Sequence, residues 1–301
     1  MTNIFQEQIC GWPGFRLTFG DISLGVVPMI GGRILSLKFR GEELFFVSKE
    51  LEGYRPDLSG EKDLRALKRR CGFHFWGGDK TWVAPEKDWW ERMPPLDLDS
   101  GPYACEQAGD GLDLTSPVCR ETGLQITRRI RLSDDGTISL QEEFLNTTKT
   151  LLRKGIWNVT QVLRTFDVWL PARVSDIRSY HIEDPTLPAH NIVPVEKEGW
   201  SCLPCRANIC YKLGANVREG RAVLVKDTPS GRIIFERTFP IMPSAPYAHG
   251  SVVEVFNSFG YDYCELEIHS PLFDIQPGQR VSFQQEWRLR SGAAEDLFIP
   301  E

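Results

Sequence analysis

The segment Tyr263-Cys-Glu-Leu-Glu-Ile-His269 sets two carboxylates and an imidazole at every second position, separated by cysteine, leucine and isoleucine. Successive side chains of an extended strand point to opposite faces. Tyr263, Glu265, Glu267 and His269 therefore share one face, while Cys264, Leu266 and Ile268 turn toward a core. Carboxylates two residues apart raise one another's proton affinity, most of all where water is excluded. A general base working near neutral pH needs that condition. A solvated outer sheet face would show the same alternation, and the sequence leaves both readings open.

A second chemical stretch is His74-Phe-Trp-Gly-Gly-Asp-Lys-Thr-Trp82. Its paired glycines permit a tight turn or a close backbone approach. Asp79 and Lys80 offer an acceptor and a donor. Trp76 and Trp82 are flat apolar platforms of the kind that stack on the C–H face of a pyranose ring. His74 belongs either to such a site or to a loop anchored by its tryptophans. In Gly155–Leu163, Asn158, Thr160 and Val162 lie on one face and Trp157 and Gln161 on the other; buried amides and hydroxyls there need partners, from a ligand or from neighbouring backbone.

Other chemistries lack support. Cys202-Leu-Pro-Cys205 with Cys210 has no second CxxC and no histidine pair to complete a zinc site. No GxGxxG, GxxxxGK[ST] or GxSxG occurs. No cofactor or metal is expected. The net charge of −6 gives no electrostatic footprint for nucleic acid and no basic run to hold a membrane surface. No apolar run approaches the roughly 20 residues that span a bilayer. With an N-terminus unlike a signal peptide and eight irregularly spaced cysteines, the expected compartment is the cytoplasm, with reduced thiols.

The elements positioning these residues read as strands. Short alternating runs fill residues 15–47. A meander follows from Leu112 to Asn146, with Asp134-Asp135-Gly136 as a hairpin turn. Later strands fall at Gly155–Leu163, Ala222–Val225, Arg232–Arg237, Ser251–Val255, Tyr263–His269 and Arg280–Arg290. One short helix is expected over Gly60–Arg70. Irregular excursions occupy about 48–103 and 172–210. The expectation is a single all-β domain over residues 1–301, a large two-layer β-sandwich, monomeric or homodimeric.

Four stretches make the chain resemble the galactose mutarotase-like (aldose 1-epimerase-like) superfamily, in its less characterised bacterial branch: Met29-Ile-Gly-Gly-Arg-Ile-Leu-Ser-Leu-Lys-Phe-Arg-Gly-Glu-Glu-Leu, the meander closing on Phe144-Leu-Asn-Thr-Thr, Asn158-Val-Thr-Gln, and Cys264-Glu-Leu-Glu followed by Ser270-Pro271 and Ile275-Gln-Pro-Gly278. The resemblance implies a supersandwich with a concave sugar-binding sheet and a small-molecule sugar or sugar derivative as partner. In that family a glutamate takes a proton from the anomeric hydroxyl and a histidine gives one to the ring oxygen. By position the base is Glu267, with Glu265 second. The histidine's place falls on Gln161 or Val162, so an acid would have to come from His249, Lys80 or His74. The expected function is a sugar mutarotase or epimerase, or a non-catalytic sugar-binding protein on the same scaffold. The residues assigned are Glu267, His249 and Lys80 for catalysis, and His74, Trp76, Asp79, Trp82, Asn158, Gln161 and Glu265 for binding.

Overall fold

Alternating apolar and polar side chains, punctuated by glycine turns, produce two large antiparallel sheets packed face to face. The computed structural model describes residues 1–180, 182, 192–206, 209–229 and 231–292. Among these, one sheet has 12 strands and the other 10. The expected meander belongs to the smaller sheet: Leu124–Leu132 pairs with Ile138–Asn146 across the Asp135-Gly136 turn, where Gly136 takes a φ of 83°. The expected helix is Leu64–Cys71, capped by the Asp63 side chain accepting from the Arg65 N–H. No helix among the described residues is long and apolar enough to cross a membrane.

The larger sheet matters most for chemistry. At its centre Gly78–Ala84, Leu152–Leu163, Tyr263–His269, Val253–Asn257 and Tyr211–Ala215 lie side by side in that order. Register puts Lys80 opposite Val159, Val159 opposite Glu267, and Glu267 opposite Glu254, so one row of outward side chains crosses four strands. The neighbouring row runs from Trp82 through Trp157 to His269. Side chains of the opposite parity, among them Val255, Leu266 and Ile268, enter the main apolar core between the sheets.

That core is not wholly apolar. Arg128 and Glu142 from the smaller sheet, with Arg237 and Gln285, meet Asp79, Thr81, Asn158 and Thr160 from the larger. Arg128 pairs with Asp79 and donates to the Gly32 carbonyl at 2.7 Å. Arg237 donates to Asn158 Oδ1 at 2.5 Å and to Thr160. Glu142 accepts from Asn158 Nδ2 at 3.0 Å, from Thr81, and from Gln285 Nε2 at 3.1 Å. Two cations and two carboxyls balance the layer, which is how charges survive in an interior. Burial holds Arg237 down to about 10 and pushes Glu142 up.

Candidate functional site

Alternation in the Tyr263–His269 strand places Glu267 on the outward face, where tertiary packing then covers it, leaving it 1% exposed. Glu267 Oε2 accepts from the Trp157 indole N–H at 3.0 Å and from Lys212 Nζ at 3.1 Å. The same ammonium lies 2.9 Å from Glu254 Oε2. Glu254 in turn bonds His249 Nδ1 at 3.3 Å and stands 3.5 Å from His269 Nε2. Trp157 carries His269 stacked on one side at 5.3 Å and His249 edge-on at 4.7 Å. Trp89 stacks on Trp157 at 5.5 Å, its own N–H tied to the Val83 carbonyl. Solvent reaches this cluster at the side chains of Lys212, 20% exposed, and His249, 13% exposed.

Electrostatics set the groups apart. Burial drives Glu267 up to about 8; the Lys212 charge pulls it down, and the charges of Glu254 and Glu265 push it up. Burial also acts to raise Glu254, but hydrogen bonds from His249 and His269 and the charges of His269 and Lys212 overcome it and hold this carboxyl well below the usual range. Lys212, although desolvated, is raised by Glu267 and Glu254 and stays an ammonium. Two adjacent carboxyls thus have opposite protonation near neutral pH, the pattern that separates acid and base roles.

His249, Glu254 and His269 present ligand atoms within 4.8 Å of one another, a spacing that invites a metal ion. The Lys212 ammonium already stands 2.9 Å from Glu254 Oε2 and supplies the positive charge there. A divalent cation would have to displace it or face its repulsion. The set therefore acts as a charge-linked cluster around one lysine.

One residue pair along the strand, Glu265 lies 3.6 Å from Lys80 Nζ and accepts from Gln161 Nε2 at 2.9 Å. Lys80 also sits over the Trp82 ring at 4.5 Å. Trp82 meets Trp157 edge-on at 5.0 Å, and its indole N–H donates to Asp99 at 2.7 Å. Glu267, Glu265, His249, Lys80, Trp82 and Gln161 thus gather on one side of the sheet.

Four expected residues lie away from this cluster. Asp79 and Asn158 have the wrong parity: their neighbours Lys80 and Trp157 face outward, so they point into the polar layer between the sheets, fully buried on Arg128, Thr160, Glu142 and Arg237. Trp76 is 0% exposed, packed with Trp12, Val27, Ile30 and Leu35. His74 lies 5.0 Å from Tyr54 and 5.2 Å from Trp76 in the same cluster. Gly77 and Gly78, at φ of 102° and 70°, interrupt the alternation between Trp76 and Lys80. They are glycines because the chain passes too close for a side chain: a Cβ on Gly77 would come within 2.0 Å of the Phe46 carbonyl oxygen. Trp76→Ala is accordingly expected to cost about 3–5 kcal/mol of stability in chemical denaturation. Sugar titrations of the folded variant should match wild type.

Sequence reasoning missed Lys212, Glu254, Trp157 and Trp89 as site residues. A lone glutamate in Val253-Glu-Val255 and a lone lysine in Tyr211-Lys-Leu213 were the available signals, each a charge between apolar strand residues.

Known structures with the same two-sheet architecture span almost the whole chain. A galactose mutarotase-like protein from Clostridium acetobutylicum matches with a TM-score of 0.63 at 12% identity, over 97% of this chain and 99% of that one. A proposed aldose 1-epimerase from Escherichia coli K12 matches at 0.57 and 15%, over 96% and 100%. A galactose mutarotase related enzyme from Lactobacillus acidophilus matches at 0.55 and 9%, over 98% and 99%. No family model matches the sequence, and no curated protein matches it. The fold is that of the galactose mutarotase-like proteins, as the four sequence stretches implied.

Proposed function

We propose that the chain is a carbohydrate-active isomerase that interconverts the anomers of an aldose at the outward face of its larger sheet. The observation that carries this reading is the juxtaposition of Glu267, raised to about 8, with His249, whose Nδ1 is held by Glu254 and whose buried Nε2 has no hydrogen-bond partner. Glu267 in its carboxylate form takes the proton of the anomeric hydroxyl. His249, acting as the imidazolium with its Nδ1–H on the Glu254 carboxylate, gives its Nε2 proton to the ring oxygen as the C1–O bond breaks. The open aldehyde rotates about C1–C2, and the two transfers reverse on reclosure, so proton count and electrons balance. Each transfer needs hydrogen-bond reach to the same sugar.

The remaining groups have supporting tasks. Lys212 compensates the charge of Glu267 and Glu254 through the cycle. Lys80, Glu265 and Gln161 form a polar bank for hydroxyls, and Trp82 and Trp157 line the apolar side. A non-catalytic sugar-binding role is the second reading. It is favoured by one observation: neither Val162 nor Gln161, the two positions on which the family's histidine falls, can give a proton, and Gln161 is bonded to Glu265.

Two-dimensional NMR exchange on a panel of aldoses separates these readings. Anomer exchange faster than in buffer supports the isomerase; sugar binding with exchange at the buffer rate would leave the binding protein. His249→Ala should slow exchange by about 10²-fold or more. Lys212→Met removes the charge that lowers Glu267, so the rise of rate with pH should move to higher pH in that variant.

A further inference from the structure

Beyond Glu265 the outward face turns aromatic. Tyr263, Phe75 and Tyr261 have ring centroids 6.0–6.3 Å apart and mutual inclinations of 30–34°. At that spacing and tilt the three rings pack against one another as one contiguous aromatic floor, with Tyr263 as its buried base. Tyr263 is buried beneath it, Phe75 is half-buried, and Tyr261 is 49% exposed at the open end. Phe73 joins this floor to the site described above, 4.5 Å from Phe75 and 5.9 Å from Trp82. Tyr263 lies four residues from Glu267 on the same face, about 13 Å along the strand. That is beyond the reach of one pyranose held at Glu267.

We propose that Phe75 and Tyr261, seated on the buried Tyr263, form a second sugar subsite, and that the preferred substrate is an oligosaccharide whose reducing-end unit sits at Glu267. The inference rests on the sugar reading of the Glu267 site and extends it. The occupant is argued from continuity: aromatic contacts lead from Trp82 through Phe73 and Phe75 to the exposed Tyr261, and Glu265, bonded to Gln161, lies two residues from Tyr263 on the same face. A pyranose chain has that same pairing of C–H faces with hydroxyl edges. Exposed aromatic surface joined to a polar cleft marks a binding surface.

The test uses the full chain and reducing gluco-oligosaccharides of the β-1,4 and α-1,4 series from one to four units. Calorimetry reads affinity and NMR exchange reads reducing-end anomer turnover. In at least one series, affinity should rise about tenfold or more between one and three units. Tyr261→Ala, at an exposed position, should erase most of that gain and leave glucose turnover at its wild-type rate. Phe75→Leu should do the same. Chain-length-independent affinity in both series, or a gain that survives both substitutions, would overturn the second subsite. Turnover of glucose without a length effect would leave the isomerase standing and the subsite refuted. A length effect lost in Tyr261→Ala, without any turnover, would leave the subsite standing and the isomerase refuted.

Discussion

Glu267→Gln is expected to slow anomer exchange by about 10²- to 10⁴-fold, the usual contribution of a positioned acid–base group. Sugar affinity should change little. The amide keeps the shape and can still accept from the Trp157 N–H and the Lys212 ammonium that now hold Glu267 Oε2. What it loses is the proton acceptor. The wild-type pH profile provides an independent reading of the same group. A base raised to about 8 is mostly protonated, and idle, at pH 7. The rate should therefore climb as the pH rises toward 8, the range in which Glu267 gains its carboxylate form. The rise must vanish in Glu267→Gln. Wild-type exchange in that variant, or a wild-type profile flat from pH 6 to 9, would remove Glu267 from the mechanism.

The second large effect is on stability. Asp79→Leu should lower the free energy of unfolding by about 3–5 kcal/mol, because it strands the fully buried Arg128 guanidinium without its carboxylate. Arg237→Met should do the same to Asn158, Thr160 and Gln285, which all bond that guanidinium. Urea midpoints measured alongside sugar titrations decide what Asp79 does. Loss of stability with unchanged affinity of the folded fraction fits the layer between the sheets. Loss of affinity at unchanged stability would return Asp79 to the binding site.

The sandwich, and Glu267 with its outward parity, were legible from the sequence because a two-residue period is written directly in Tyr263–His269. The same period argued against Asp79 and Asn158, since Lys80 and Gln161 were assigned to the same site from the opposite parity. Trp76 misled because alternation does not carry through left-handed glycines, and Gly77 and Gly78 reset the phase. Lys212 and Glu254 were hard to find for another reason. They lie 55 and 13 residues before Glu267, and only cross-strand register brings them beside it. Nothing in a single strand's composition announces which strand it will pair with. Trp89 falls in the irregular excursion over 48–103, and its stacking on Trp157 depends on a loop conformation that residue spacing does not encode.

The polar layer between the sheets works like dowels between two boards. Apolar contacts tolerate sliding and exchange of Leu, Ile and Val at modest cost, whereas Arg128, Arg237 and Glu142 engage named atoms on the facing strands and fit in one alignment only. A one-residue slip of either sheet would unseat all of them together. The register that brings Lys80, Glu267 and Glu254 into one row, with Trp157 in the next, is thereby insulated from drift in the surrounding core. Rim loops and apolar filling are free to diverge while the register of the outward row is kept.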